Sequence, residues 1–314
     1  MGNLNNYLLI DGSALLHRAY HALPPFSSPD NIPTNALFGF AKMTLSLINK
    51  INPNYISVAF DTPVPTFRKK LLPTYQAQRP KAEESFKVQV PLVQEFLQLA
   101  KIPLYLKEGF EADDVIATIS SQALKKDKEL KIKIVTGDKD ILQLVNKQVM
   151  VLMPKTGVSN LFYMDTIAVR EKLGIDPEQV VDYKALVGDS SDNYGGIKGI
   201  GPKTATKMLS KYQTLENIYQ HIEELDLSLR EKLELNRENA LLSKQLAKLV
   251  NNVDIDFKVE KTKFESLNLS IELAAFCERY GLYSLKKQLQ QLQKSKKIED
   301  KSVDKPDNNQ LSFF

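Results

Sequence analysis

Residues 133–140 read Lys133-Ile134-Val135-Thr136-Gly137-Asp138-Lys139-Asp140, a β-branched aliphatic run that meets a glycine and then two carboxylates one residue apart. A run of that length and composition predicts a buried strand, and the glycine ends it. The same pattern recurs upstream: Tyr7-Leu8-Leu9-Ile10 runs into Asp11, and Tyr55-Ile56-Ser57-Val58-Ala59-Phe60 runs into Asp61. Between these runs the residue pattern predicts helices over 35–51, 87–100 and 112–126. Strands alternating with helices of that length require crossover connections, hence an α/β fold built on a parallel sheet. Ligands of such sheets gather beyond the carboxyl ends of the strands, which is where these Asp residues fall.

Beyond about residue 165 the strand signal fades and helices are predicted over 177–187, 203–212, 228–250 and 270–293, with Gly195, Gly196, Gly199, Gly201 and Pro202 as punctuation. The 314 residues carry 42 Lys+Arg against 38 Asp+Glu, with 43% hydrophobic and 25% charged residues, which excludes disordered, collagen-like and membrane-embedded classes. The single cysteine, Cys277, has no intramolecular disulfide partner, and no apolar run approaches the roughly 18 residues that span a bilayer. The first residues, Met1 to Ser13, lack the basic start and long apolar core of a secretory signal, so a cytoplasmic protein is expected. The net charge of +4 does not by itself indicate a nucleic-acid partner.

The chemistry lies in accumulated carboxylates. Asp11, Asp61, Glu111, Asp113, Asp114, Asp138 and Asp140 occupy four successive strand-to-helix junctions, and Asp189 and Asp192 follow the 177–187 helix. In Gly109-Phe110-Glu111-Ala112-Asp113-Asp114-Val115, positions 111 and 114 share a face of a first helical turn. Carboxylates crowded at one sheet edge repel each other unless cations neutralise them, and hard oxygen donors select Mg²⁺ or Mn²⁺. The histidines, His17, His21 and His221, stand apart from the acids in the chain, which argues against zinc. Two divalent ions about 4 Å apart suit phosphodiester hydrolysis. Asp11-Gly12-Ser13 taken alone also fits a phosphatase nucleophile loop or a simple turn.

The ordered series Leu9-Ile10-Asp11-Gly12, Phe60-Asp61, Thr66-Phe67-Arg68, Gly109 to Asp114, Thr136 to Asp140 and Gly188-Asp189-Ser190-Ser191-Asp192-Asn193 resembles the 5′-3′ exonuclease domain of bacterial DNA polymerase I, within the flap endonuclease family. The resemblance covers roughly residues 6–290. It implies a PIN-like parallel-sheet nuclease core with a helical helix-hairpin-helix (H3TH) C-terminal module, two divalent ions on the nine acids, and hydrolysis of DNA at or near a 5′ end or flap, leaving a 5′-phosphate. It implies roles in Okazaki-fragment processing and repair, in stand-alone form and as a monomer. The expected layout is a core over 1–173 with a basic arch at about 64–90, a helical module over 174–294, a disordered linker over 295–309 and a tail over 310–314.

Arg68, Lys69, Lys70, Arg79, Lys81 and Lys87, interleaved with Phe67, Tyr75 and Phe86, follow Asp61 and suit a single strand passing over a metal site. The resemblance makes this segment a helical arch, with Arg68, Arg79 and Arg18 as phosphate contacts and Tyr75 and Lys81 as further DNA contacts. One position departs from the family: Gln76 stands where a lysine is usual, so either turnover is reduced, leaving a catalytically weakened DNA-binding paralogue as the extreme case, or Lys69, Lys70 or Lys81 supplies the charge. Gly196-Ile197-Lys198-Gly199-Ile200-Gly201-Pro202-Lys203-Thr204-Ala205 precedes a helix, where glycines let the backbone approach an anion. It resembles the helix-hairpin-helix turn that grips duplex backbone without reading sequence, implying Lys198, Gly199, Gly201, Lys203 and Lys207 as DNA contacts and a K⁺ ion at the turn. The end of the chain, Gln310-Leu311-Ser312-Phe313-Phe314, resembles sliding-clamp-binding peptides, with Gln310, Leu311, Phe313 and Phe314 as contacts. Setting the nine acids aside as ligands leaves 29 acids against 42 bases, an excess of 13 that suits a DNA backbone.

Overall fold

The computed structural model describes residues 5–156 and 160–303. Its centre is a six-stranded sheet in the order β3-β2-β1-β4-β5-β6, made of β1 (Asn6–Asp11), β2 (Tyr55–Ala59), β3 (Leu104–Tyr105), β4 (Lys131–Val135), β5 (Val149–Thr156) and β6 (Asn160–Met164). All pairings are parallel except β5 with β6, and β1 is central, with Ile10 opposite both Val58 and Val135. Both faces of β1 are covered, so it carries consecutive apolar residues rather than an alternation with polar ones. Leu8 and Ile10 pack on one side with α1 (Gly12–Ala22), α2 (Asn35–Ile51) and α5 (Gln89–Leu99), through Leu16, Phe40 and Phe96. Tyr7 and Leu9 pack on the other with α6 (Ala112–Lys126), through Val115 and Ile119. Each fully buried Leu, Ile or Phe contributes about 1.5–3 kcal/mol of transfer free energy, so these two layers hold the strand ends in place.

The helical part comprises α7 (Thr166–Leu173), α8 (Val180–Val187), α9 (Pro202–Tyr212), α10 (Leu215–Gln220), α11 (Leu227–Leu235), α12 (Arg237–Ala247), α13 (Ile271–Arg279) and α14 (Tyr283–Val303), with a two-stranded pair, β7 (Gly188–Asp189) and β8 (Tyr194–Gly195), after α8. Five features depart from the sequence expectation. The predicted helix over 228–250 breaks at Asn236, whose side-chain Nδ2 donates to the Lys232 carbonyl at 2.8 Å and competes with the helical ladder. The one over 270–293 breaks at Gly281, in a left-handed conformation with φ +69°. The β5–β6 hairpin was not anticipated. The arch segment is not one helix but two short ones, α3 (Phe67–Leu71) and α4 (Glu84–Lys87), since Pro73 and Pro80 bound a turn-rich stretch between them. Finally, residues 295–303 of the expected disordered linker belong to α14. Positions 304–309, and Gln310, Leu311, Phe313 and Phe314, the expected clamp contacts, lie outside the described residues.

Candidate metal centre

Four strand ends deliver acids to one edge of the sheet. Asp11 terminates β1 and caps α1: its Oδ1 accepts the Ala14 N–H at 2.9 Å, and its Oδ2 accepts the Thr136 hydroxyl at 2.6 Å. After β2, Asp61 accepts the Ala112 N–H at 2.8 Å, which draws the head of α6 to it. Glu111 caps that helix and takes the Thr66 hydroxyl at 3.2 Å. Past β4, Asp138 accepts the Asp140 N–H at 2.8 Å. With Asp113, Asp140 and Asp192 these side chains line a cavity of about 360 Å³, whose walls include His17, Lys69, Gln76 and Arg79. His17, on the helix that Asp11 caps, also reaches this cavity, against the expectation that the histidines stand apart from the acids, and its ring stacks on Phe86 at 4.2 Å between centroids.

The electrostatics record the crowding. Burial, reinforced by Asp61, pushes Asp11 up to about 7. Burial lifts Glu111 to about 7 against the opposing pull of Arg68. Asp113 is raised well above the usual carboxylate range by burial and by Asp138, Asp11, Asp61 and Glu111 together. Burial also raises Asp138, with Lys184 and Arg79 pulling it back. Acids raised above their usual range by burial and by one another are short of positive charge, and hard divalent cations bind such oxygen donors.

A second group lies where the sheet meets the helical part: Asp140, Asp189 and Asp192 each present an oxygen within 4.8 Å of the others. Here the chain supplies cations. The Lys184 ammonium contacts the Asp140 carboxylate and sits 2.5 Å from Asp189 Oδ2. Burial would raise Asp189, but Lys184 and Ser191 outweigh it and the net shift is downward. Asp192 is held by one loop: Arg79 at 2.6 Å and the Gln76 amide at 3.0 Å meet Oδ1, and the Tyr75 hydroxyl lies 3.1 Å from Oδ2. Gln76 has a left-handed backbone, φ +54°, and its N–H donates to the Asp192 carbonyl at 2.9 Å. Sequence reasoning missed Lys184; the available signal was a lone cation within the apolar run from Val180 to Val187.

Packing overturns one metal assignment and gives three expected DNA contacts partners inside the protein. Asp114 points away from the cavity into the interior, where its oxygens accept from both Arg68 terminal nitrogens at 2.7 and 2.9 Å, from the Val250 N–H at 2.9 Å and from the Glu111 N–H at 3.1 Å. Four donors leave no room for a metal. Arg68, 1% exposed, also donates to the carbonyls of Leu246 and Lys248, so it ties α3, α6 and the end of α12 together beneath the cavity wall that it lines. Tyr75 is 2% exposed, with its ring beside that of Tyr194, and braces Asp192 from the cavity wall. Arg18 is half-buried and donates to the Pro154 carbonyl at 2.7 Å and that of Lys155 at 3.3 Å, joining α1 to β5. Arg79 and Lys69 reach the cavity; Lys70 and Lys81 are exposed and do not line it.

Lys198, Lys203 and Lys207 are exposed around the glycine-rich turn. Gly199 has φ +84°, and the extended Gly201 opens α9 with Pro202 in its first turn. Just before the turn, two backbones cross. A Cβ on Gly188 (φ +76°) would lie 2.4 Å from the Gly196 nitrogen, and one on Gly196 would lie 2.3 Å from the Leu186 carbonyl oxygen, so only glycine fits either position.

Residues 6–174 match the family model described as 5′-3′ exonuclease, N-terminal resolvase-like domain, and residues 175–270 match that of 5′-3′ exonuclease, C-terminal SAM fold. Fold and acidic edge together define a nuclease of the resolvase-like class. The chain belongs to the 5′-3′ exonuclease family. It is 40% identical over 297 residues to the 5′-3′ exonuclease of Aquifex aeolicus, a match that covers 95% of this chain and 94% of that one. It is also 40% identical to DNA polymerase I of Caldicellulosiruptor bescii, over 88% of this chain and 33% of the relative, so the chain spans about a third of that protein. Among solved structures, the T5 D15 protein co-crystallised with metal ions has the same fold, with a TM-score of 0.61 at 20% identity over 91% of this chain and 99% of that one. So does the catalytic core of Rad2 in complex with DNA substrate, with a TM-score of 0.57 at 18% identity over 88% and 87%.

Proposed function

We propose that this chain hydrolyses DNA phosphodiesters at or near a 5′ end or flap junction, with one divalent ion held by Asp11, Asp61, Glu111, Asp113 and Asp138 and a second by Asp140, Asp189 and Asp192. The observation that carries this reading is the cavity that gathers acids raised in pKa by burial and by one another, a donor set suited to Mg²⁺ or Mn²⁺. Such ions would lower the pKa of a bound water and stabilise the leaving oxygen.

The chain's own residues do the rest. Lys69 and Arg79, on the cavity wall, attract and orient the scissile phosphate, with Lys69 supplying the charge that Gln76 lacks. Gln76, Tyr75 and Arg79 fix Asp192, while Thr136 and the Ala14 N–H fix Asp11, so the carboxylates meet substrate already oriented. Lys198, Lys203 and Lys207 hold the duplex by its phosphates, with a K⁺ ion at the Gly199–Gly201 turn, and affinity therefore falls steeply with salt. A cytoplasmic monomer working on Okazaki fragments and repair intermediates, recruited to a sliding clamp by residues 310–314, completes the reading; among the described residues no helix is long and apolar enough to cross a membrane.

The test is a 5′-flap oligonucleotide incubated with Mg²⁺ or EDTA, using wild type and Asp113→Asn. Asp113 is the acid to change, because Asp114 is structural. Metal-dependent cleavage near the junction, reduced at least about 10³-fold in the variant, supports the proposal. Binding without cleavage in Mg²⁺ or Mn²⁺ would overturn it.

A further inference from the structure

The two acid groups differ in their resident charge. In the first group the one ion pair among the described residues is Arg68 with Glu111 at 3.3 Å, and that guanidinium is already matched by the buried Asp114; the second group holds two cations, Arg79 on Asp192 and Lys184 between Asp140 and Asp189. Arg79 lies on an exposed loop, its side chain 50% open to solvent, and is free to turn toward a phosphate. Lys184 is not. It projects from α8 with its side chain 11% exposed, and its ammonium bridges an acid that follows β4 to an acid that follows α8. Its position between two of the three converging carboxylates is that of a monovalent counter-ion.

We propose that Lys184 is the built-in counter-ion of the Asp140–Asp189–Asp192 group and a positioning residue for the second metal ion. It keeps these carboxylates gathered in the metal-free protein and, by its charge, makes this the weaker of the two sites. The proposal rests on the two-ion reading above and adds to it a determinant of unequal affinity. A like charge within a few ångströms of a divalent cation repels it, and the low-dielectric surroundings of a nearly buried ammonium sharpen that repulsion. Divalent ions therefore fill the sheet-side group first, and the second group accepts its ion against Lys184.

The experiment titrates Mn²⁺ into the metal-free full-length protein, following free ion by electron paramagnetic resonance, for wild type, Lys184→Met and Lys184→Arg. Melting temperatures are measured in EDTA and in saturating Mn²⁺. Lys184→Met is expected to tighten the weaker site about tenfold or more and the tighter site, which Lys184 reaches only through Asp138, much less. Its melting temperature should fall in EDTA, where the carboxylates lose their counter-ion, and recover in Mn²⁺. Lys184→Arg keeps the charge and should keep the wild-type affinities. If Lys184→Met binds two ions with wild-type affinities, or melts lower in EDTA and Mn²⁺ alike, Lys184 is an ordinary structural ion pair and the proposal fails while the two-ion reading stands. Wild-type protein that binds no Mn²⁺ overturns both.

Discussion

Asp113, at the head of α6, and Asp189, just after α8, are aspartates of the same acidic edge, yet their surroundings drive them in opposite directions. Asp113 lies among other acids, and burial and their charge together raise it well above the ordinary range; Asp189 touches an ammonium and is lowered. Asp114, next to Asp113 in the chain, follows a third course, buried against Arg68 and closed to any ion. One residue type therefore serves three ends here: awaiting a cation from solution, holding one from the chain, and fastening two layers of the fold. The neighbours decide which.

The largest effect tests the third of these. Arg68→Met strands the buried Asp114 charge and should cost about 3–5 kcal/mol of stability, read from urea unfolding, with Arg68→Lys intermediate because it loses the paired geometry. Unchanged stability with weakened DNA binding would return Arg68 to the substrate side. Next is Lys69→Met, which removes a cation from the cavity wall and should lower turnover on a flap substrate about 10²-fold, with Lys70→Met and Lys81→Met close to wild type. Equal losses in all three would mean that the charge acts at long range and the cavity wall has no special place.

The smallest effect separates the two acid groups by pH. Asp11 and Glu111, raised to about 7, hold protons in the folded protein between roughly pH 4 and 7 that the unfolded chain has already released. Their contribution to the stability of the metal-free protein is thus present at low pH and lost as pH climbs toward 7. Asp189, shifted down, contributes in the opposite sense, above its ordinary range. Melting temperatures in EDTA from pH 5 to 7.5 should fall less steeply with rising pH for Asp11→Asn than for wild type; identical slopes would show that the crowding carries no energetic cost.

Much of this was legible in the chain. The aliphatic runs ending at Ile10, Ala59 and Val135 are strands, and the helices over 35–51 and 112–126 fall where their patterns place them. Period and composition report such elements because a doubly covered strand must be apolar throughout. The β5–β6 hairpin was not legible: β6 is an edge strand whose Phe162 and Tyr163 stay half exposed, and its partner follows a loop rather than a helix. At the candidate site, residue type drew attention to every acid, but spacing could not separate Asp113 from Asp114. Adjacent positions on a helix diverge by about 100°, and which one faces the cavity depends on Arg68, Leu246 and Val250, two of them over 130 residues away. Lys184 was missed because its meaning comes only from Asp140, on another element.

The crossing at Gly188 and Gly196 has a consequence for where a strand is cut. Main chain alone, with no side chain between, joins the lysine-bearing turn to the strand that carries Asp189, which fixes the spacing between them. Were a duplex to seat on that turn, as proposed, its phosphates would meet the acids at one set reach, and the distance from a junction would be measured without reading a single base.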